Sequence, residues 1–189
     1  MEDIVIVGFG GHAKSVADCI ERIGTYRIAG YTDFEEHLTK YKYLGTDDNL
    51  QAVYNSGVIN AIVGVGYLGK GEIRCDLYEN LKRIGFKLPV IIDPSAIVSM
   101  TAIIGEGTFV GKNAVINAEA NVGKMAIINT NAVIEHECVI GDYVHVAVSA
   151  VLCGQVKVGE ASFIGANATV IQCMKIADHK IVPAGLTVR

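Results

Sequence analysis

The sequence has 189 residues, of which 51% are hydrophobic, and a formal net charge of −4 at pH 7. This acidic balance argues against nucleic-acid binding, because surfaces that bind nucleic acids are basic. No apolar run reaches the roughly 18 residues of a transmembrane helix, and the N-terminus lacks the basic segment and cleavage site of a secretion signal, so we expect a cytoplasmic protein without a membrane span.

The first third of the chain alternates apolar runs with helical periodicity. A continuous apolar run is typical of a buried parallel strand, and apolar residues spaced three and four apart indicate a helix. These patterns predict, in order, a strand at 3–8, a helix within 8–24, strands at 26–34 and 60–66, and a helix over 71–85. The alternation predicts a small Rossmann-like parallel α/β domain, residues 1–90, whose boundary falls between Pro89 and Pro94.

Glycines between the first strand and the first helix predict a tight turn, made by Gly8, Gly10 and Gly11. Main-chain amides at such a turn can hold a pyrophosphate at the helix N-terminus. Ala13 stands where a dinucleotide-binding fingerprint has its third glycine, so a plain structural turn is the alternative. A nucleotide-binding oxidoreductase would rest on this turn alone, and the domain is too short for a full dinucleotide fold.

Two polar side chains near this turn are candidates for contacts with a nucleotide sugar. Asp33 ends the second strand, where an acidic residue often meets a ribose or a base; a solvated turn carboxylate is the alternative. A helix N-terminus disfavours a cationic imidazole. We therefore expect a neutral His12 that could donate a hydrogen bond to a phosphate or sugar.

The rest of the chain follows a six-residue repeat. An aliphatic residue occupies every sixth position from Ile92 to Val188 without a slip, and small residues recur four positions later. Neither the helical period nor simple alternation explains this pattern, whereas a solenoid of short strands separated by corners does. Residues 91–189 are therefore predicted to form a parallel β-helix, and a purely structural β-helix is the alternative to an enzyme.

This register resembles that of the hexapeptide-repeat acyltransferases. In that family three hexapeptides make one triangular coil, wound left-handed, so the resemblance implies about five coils here. It also implies a homotrimer with acyl-CoA sites between the subunits.

One histidine lies where the repeat predicts an outward-facing side chain. His136 comes two positions after the core residue Ile134, and Glu135 and Glu137 flank it. Either carboxylate could fix the tautomer of the ring and raise its basicity. Gly154 should stack on His136 in the next coil, with its N–H as a candidate donor to an oxyanion. A histidine base, an orienting carboxylate and an amide donor are the parts that acyl transfer from a thioester requires.

The segments GFGGHAKSV (8–16), YTDF (31–34), VGVG (63–66) followed by Arg74, and INTNAVIEHECVIGDYVHV (128–146) resemble those of the NeuD/PglD-like sugar acetyltransferases. Members include UDP-4-amino-sugar N-acetyltransferases and sialic acid O-acetyltransferases. The resemblance implies that His136 is the general base and that Glu137 increases its basicity. It implies two binding sets, namely Gly10, Gly11, His12, Asp33 and Gly66 for the sugar nucleotide, and His145, Ala166 and Ala184 for acetyl-CoA.

Three features depart from that family. Thr32 precedes Asp33 where relatives commonly have a pair of acids, which leaves the recognition of the base open. Many relatives have a different residue at position 166 and glycine at 184. The sequence ends at Arg189 without the usual closing segment rich in Gly, Pro, Ala and Lys, which could loosen the adenine end of the coenzyme site.

We therefore expect metal-free acetyl transfer from acetyl-CoA to the 4-amino group of a UDP-linked amino-deoxy sugar. O-acetylation of sialic acid or another sugar by the same base is the alternative. A more distant alternative is a metal-dependent β-helix protein resembling the γ-carbonic anhydrases. For that reading His136, His145 and His179 are available, but they lack the close spacing of ligand pairs.

Overall fold

The computed structural model describes residues 1–66 and 72–189 and divides into two compact units, Met1–Pro89 and Val90–Arg189. The expected fold class is confirmed: a small parallel α/β unit is followed by a left-handed parallel β-helix of about five turns. Among the helices of the described ranges, none has the length and apolar character needed to cross a membrane.

The N-terminal unit is built on a three-stranded parallel sheet. Its elements are β1 (Glu2–Val7), α1 (Gly11–Ile23), β2 (Tyr26–Thr32), a 3-10 helix (Asp47–Asn49), α2 (Leu50–Asn55), β3 (Asn60–Val63) and α3 (Glu72–Ile84). The strand order is β2-β1-β3. The central strand β1 is buried from Ile4 to Val7, which explains its unbroken apolar run.

The structure confirms the three expected strands and the two expected helices of this unit. Helix α2 was not predicted, because six residues are too few to show a helical period. Gly71, at which the predicted second helix began, lies outside the described residues.

Helix α1 packs one apolar stripe into the core of the unit, and its buried residues are Ala13, Val16, Ala17, Cys19 and Ile20. The helix ends at Gly24, whose left-handed φ of 70° lets its N–H donate to Ile20 O at 3.1 Å. The packed stripe holds the N-terminus of α1 beside the carboxyl end of β1.

The C-terminal unit consists of two-residue strands in three parallel sheets, called here faces 1, 2 and 3. Face 1 has β4 (Ile91–Ile92), β7 (Phe109–Val110), β10 (Ile127–Ile128), β13 (His145–Val146), β16 (Phe163–Ile164) and β19 (Ile181–Val182). Face 2 has β5 (Ile97–Val98), β8 (Val115–Ile116), β11 (Val133–Ile134), β14 (Val151–Leu152), β17 (Thr169–Val170) and β20 (Thr187–Val188). Face 3 has β6 (Ile103–Ile104), β9 (Asn121–Val122), β12 (Val139–Ile140), β15 (Lys157–Val158) and β18 (Lys175–Ile176).

Each coil pairs in parallel with the next one. Ile127 pairs with His145 on face 1, and Val133 pairs with Val151 on face 2. Both pairs join residues one coil apart, so a coil contains one strand from each face. Residues at the corners between the faces therefore stack in the same register as the strands.

The core of the β-helix is a set of aliphatic ladders with small residues between them. Between Val110 and Val170 the aliphatic residues of the repeat and the small residues at the second phase are buried, among them Ala114, Ile116, Ala132 and Ile134, whereas the hydrophobic ones of the first coil are only partly buried. Where the small residue is polar, its hydroxyl is satisfied by the next coil: Thr108 Oγ1 donates to Gly123 O at 2.8 Å, and Ser162 Oγ donates to Ala177 O at 2.8 Å.

The corners use glycine for space and other residues for the left-handed turn. A Cβ on Gly141 would lie 2.7 Å from the backbone nitrogen of Glu160, so glycine lets the next coil approach. The residue with a left-handed φ comes two positions after the residue at this glycine's phase. It is not itself glycine, and it recurs at every sixth position from Asn113 to His179. Sequence reasoning did not identify these residues, because a left-handed φ is uncommon outside glycine.

The narrow core gives a test of stability. Ala132 is fully buried at the small-residue phase, so Ala132→Leu should overpack the coil and lower the free energy of unfolding by roughly 1–3 kcal/mol. Ala118 lies at an exposed corner, and Ala118→Leu should change that free energy by less than about 0.5 kcal/mol. Urea unfolding of both variants measures the difference, and equal losses would contradict the narrow core.

Candidate active site

The carboxyl ends of the three strands in the N-terminal unit border a cavity of about 490 Å³. Gly8 follows β1, Asp33 follows β2 and Val65 follows β3, and all three residues line the cavity. Ligands of parallel α/β sheets bind at this edge, where the strand order reverses. In the order β2-β1-β3 the reversal falls at β1, next to the glycine turn.

The glycine turn leaves the N-terminus of α1 open. Gly8 has a left-handed φ of 82°, and a Cβ there would lie 2.5 Å from Val65 Cγ2. Gly10 is the N-cap of α1 and supplies no side-chain cap. A Cβ on Gly10 or Gly11 would meet no atom within 4 Å. The first amides of the helix are therefore approachable, as binding of an anion at a helix N-terminus requires.

Asp33 ties the loop after β2 to the glycine turn. Its Oδ2 accepts from Phe9 N at 2.7 Å and lies 2.9 Å from His37 Nε2, and its Oδ1 accepts from Phe34 N at 2.7 Å. Burial raises the pKa of Asp33, but these three hydrogen bonds together lower it below its usual value. The carboxylate lines the cavity and also holds the turn in place, so a ligand at this edge would meet an ionised group that is already oriented.

His12 lies in the first turn of α1 beside Gly66 and Arg74. A Cβ on Gly66 would lie 3.5 Å from His12 Cβ, an ordinary van der Waals contact that places the two residues side by side. Burial, followed by the positive charge of Arg74, lowers the pKa of His12 to about 4. The ring is thus neutral at neutral pH, as expected, but burial and Arg74 cause the shift. Arg74 is buried on α3, and its place beside His12 was not predicted, because nothing in the spacing of α3 relates it to α1.

Acidic and amide side chains also line the cavity. Asp47 and Asp48 from the 3-10 helix and Asp76 and Asn80 from α3 line it together with apolar side chains. Carboxylate and amide oxygens accept hydrogen bonds, so they suit ribose hydroxyls or the N–H groups of a base. Sequence reasoning missed these residues, because they lie on elements far apart in the chain.

His136 and Glu137 form a hydrogen-bonded pair at the corner between faces 2 and 3. His136 Nδ1 lies 2.9 Å from Glu137 Oε2, and the two side chains are 54% and 47% exposed. The hydrogen bond from His136, followed by one from Gln155, lowers the pKa of Glu137. Because the carboxylate accepts the Nδ1 proton, Nε2 is left as the basic nitrogen.

The second flanking carboxylate has a different partner. Glu135 Oε2 accepts from the backbone N of His136 at 3.2 Å and from Asn117 Nδ2 at 3.0 Å. Glu135 therefore stabilises the corner, and Glu137 orients the ring. This contact pattern resolves the choice between the two acids that the sequence left open.

Gly154 lies directly against the ring of His136. A Cβ at Gly154 would lie 2.5 Å from His136 Nε2 and 2.6 Å from Cε1, so any side chain there would displace the ring. Among the hydrogen bonds of residues 1–66 and 72–189, none has the Gly154 N–H as donor. The Gly154 backbone therefore lies against Nε2, and its N–H is a candidate donor to an oxyanion that forms during acyl transfer.

The residues predicted for acetyl-CoA lie elsewhere on the coil. Ala166 and Ala184 stack at the corner between faces 1 and 2, where Ala166 O accepts from Gly185 N at 2.8 Å. His145 is largely buried on face 1, where its Nε2 accepts from Asn129 Nδ2 at 3.2 Å and its ring packs edge-on against Phe163. A single chain therefore does not bring Ala166 and Ala184 to the corner of His136.

The three histidines considered for a metal do not converge in one chain. His136 and His179 lie at different corners of the coil, and His145 lies on face 1. In the part of the chain that the structure describes, no group of three or more His, Cys, Asp or Glu side chains is arranged to hold a metal ion.

Known proteins match both units. Residues 3–81 match the family model described as the PglD N-terminal domain. A curated relative is the UDP-N-acetylbacillosamine N-acetyltransferase of Bacillus subtilis (strain 168), 36% identical over 115 residues, which are 58% of this chain and 51% of that protein. The match thus spans about half the length of this curated relative.

Solved structures match the whole chain. PerB from Caulobacter crescentus, in complex with CoA and GDP-perosamine, is 34% identical with a TM-score of 0.95, and the match covers 100% of this chain and 89% of that chain. A variant of perosamine N-acetyltransferase from the same organism, with the same two ligands, is 34% identical with a TM-score of 0.94 and the same coverage. The acetyltransferase domain of PglB from Neisseria gonorrhoeae FA1090 is 32% identical with a TM-score of 0.93, and the match covers 100% and 92%.

The shifted pKa of His12 can be measured directly. In an NMR titration with labelled histidine, the His12 resonance should stay unchanged from pH 8 to 5 and move with a midpoint of about 4. The spectrum of His12→Asn assigns the resonance. Since the unfolded chain takes up this proton near pH 6.5, folding should also become less favourable as the pH falls from 6.5 towards 4. A midpoint near 6.5 would contradict the buried site.

Proposed function

Because the chain belongs to the NeuD/PglD-like sugar acyltransferases of the hexapeptide-repeat superfamily, we propose that it transfers acetyl from acetyl-CoA to an amino group of a nucleotide-linked amino-deoxy sugar. The contact between His136 Nε2 and Gly154, with Glu137 on Nδ1, is the observation that carries this proposal.

The proposed reaction uses these groups in sequence. His136 Nε2 takes a proton from the amine as its nitrogen attacks the thioester carbonyl carbon. The Gly154 N–H donates to the oxyanion that forms, and Glu137 stabilises the imidazolium through Nδ1. When the carbon–sulfur bond breaks, the CoA thiolate leaves and takes the proton back from His136, which restores the base.

The N-terminal unit is the proposed site for the sugar nucleotide. The open N-terminus of α1 at Gly10 and Gly11 suits the pyrophosphate, and the neutral His12 suits a phosphate or sugar oxygen. Asp33 at the carboxyl edge of the sheet suits the ribose or base, and Gly66 lies beside His12, where its backbone would border the same ligand. This proposal is supported by two relatives: one is named for UDP-N-acetylbacillosamine, and the other binds GDP-perosamine.

The separation of the corners supports a homotrimer. Ala166 and Ala184 lie at one corner of the coil and His136 at another, and we propose that the coenzyme binds between two copies of the chain, with Ala166 and Ala184 on one copy and His136 on the other. A ring of three copies closes such a head-to-tail contact. His145 on face 1 would then contact the coenzyme from the copy opposite His136.

A substitution at the base tests the reaction. His136→Asn removes the basic nitrogen, so kcat should fall by about 10²–10⁴-fold while KM for both substrates changes little. The control is His179→Asn, which replaces an exposed histidine at another corner and should leave kcat unchanged. Release of free thiol from acetyl-CoA gives the rates, and an unchanged kcat for His136→Asn would disprove the base.

The nucleotide is the second testable part. We propose a UDP-linked sugar with a 4-amino group, which the 36% identical N-acetyltransferase of B. subtilis supports. GDP-perosamine is the second candidate, because it is bound in the full-length match at 34% identity.

A substrate panel separates these candidates. UDP-4-amino sugars, GDP-perosamine and CMP-sialic acid are each incubated with acetyl-CoA, and thiol release is followed. We expect the highest kcat/KM with the UDP-linked amine. A higher value with GDP-perosamine would change the nucleotide and retain the chemistry, whereas transfer to CMP-sialic acid alone would contradict N-acetylation.

A further inference from the structure

A ladder of side chains leads away from the His136–Glu137 pair along the corner between faces 2 and 3. Gln155 and Cys173 occupy the same corner position as Glu137 in the next two coils, and all three residues have left-handed φ. Gln155 Nε2 donates to Glu137 Oε2 at 3.1 Å. The thiol of Cys173 donates to Gln155 Oε1 at 3.3 Å.

We propose that Gln155 is a positioning residue for the His136–Glu137 pair and that Cys173 fixes the direction of the Gln155 amide. This role rests on the proposed function, because it acts through the base.

His136 and Gln155 share one oxygen of Glu137. Glu137 Oε2 accepts from both His136 Nδ1 and Gln155 Nε2. The Glu137 side chain is 47% exposed, so it has room to rotate into solvent if the ring alone held it. A second donor on the same oxygen restrains that rotation and keeps the acceptor opposite Nδ1. The ring then keeps its Nδ1–H tautomer, with the lone pair of Nε2 beside Gly154.

The two ends of the Gln155 amide have different partners. A glutamine side chain can present either its NH₂ or its oxygen, and a carboxylate accepts only from the NH₂. The Cys173 thiol donates to the opposite end of the amide, so it favours the orientation in which NH₂ faces Glu137.

The competing explanation is that the hydrogen bond between Gln155 and Glu137 only stabilises the stacked coils, called here a structural rung. The same kind of contact occurs away from His136. Asn131 Nδ2 donates to Ser149 Oγ at 3.1 Å, and both residues are at corner positions one coil apart. A structural rung affects folding and leaves the state of His136 unchanged. The tautomer of the ring and the division of effects between kcat and KM therefore discriminate the two explanations.

Gln155→Met and Gln155→Asn are the test variants. Methionine keeps the length and loses the donor, whereas asparagine tolerates the left-handed φ but is too short to reach Glu137. Both should lower kcat by about tenfold, at the low end of what a hydrogen bond to a charged group contributes. KM should stay within twofold of the original value. In both, ¹⁵N NMR of labelled histidine should show His136 shifting from the Nδ1–H to the Nε2–H tautomer.

The matched control is Gln51→Met on α2. It removes the hydrogen bond that exposed Gln51 donates to Asn55, and it should leave kcat and the tautomer of His136 unchanged. For the contact between Cys173 and Gln155, Cys173→Ser retains a hydrogen-bond donor and should have the same kcat as the original protein. Cys173→Ala should lower kcat about threefold.

An unchanged kcat and an unchanged tautomer in Gln155→Asn would overturn the proposal. So would a loss of thermal stability in both Gln155 variants without a change in the tautomer. The NMR measurement needs no substrate, so it tests the ladder even if the panel of sugars shows that the proposed reaction is wrong.

Discussion

Each coil of the β-helix is held to the next by main-chain hydrogen bonds between strands that pair in parallel, as Val133 does with Val151. These bonds allow no slip between coils, because a shift of one residue would turn the aliphatic ladder outward and unpair the corners. The same register that buries Ile134 brings Gly154 against the ring of His136. The contact between His136 and Gly154 is therefore a consequence of the register.

The two histidines of interest differ because their surroundings differ. His12 is buried beside a cation, so its pKa falls to about 4 and it can act as a neutral hydrogen-bonding group. His136 is half exposed at a corner, where Glu137 contacts one ring nitrogen and the backbone of Gly154 lies beside the other. Residue type alone does not distinguish a binding histidine from a base; burial and the partner on the second nitrogen do.

The sequence predicted most of the fold and the contact between His136 and Gly154. The unbroken aliphatic register predicted the β-helix, and adding one coil to His136 identified Gly154. The same addition from Glu137 would have led to Gln155 and Cys173, but only the left-handed corners show that their side chains meet. Arg74 and the acidic side chains of the cavity were missed for another reason, since long-range packing of short elements leaves no periodic signal.

The two units have separate cores and sites of different character. The N-terminal unit has a cavity at the edge of a parallel sheet, and the β-helix has His136 beside the backbone of Gly154 at an exposed corner. Because the chain is similar to N-acetyltransferases of nucleotide-linked sugars, we propose that the cavity binds the sugar nucleotide and that the corner of His136 carries out acetyl transfer.

A crystal structure with bound acetyl-CoA would show whether the register joins His136 and Gly154 in one acyl-transfer site, as we propose. The acetyl carbonyl group should then lie beside the Gly154 N–H and His136 Nε2, with the coenzyme also touching Ala166 and Ala184 of a neighbouring copy. An acetyl group bound away from Gly154 would contradict this proposal.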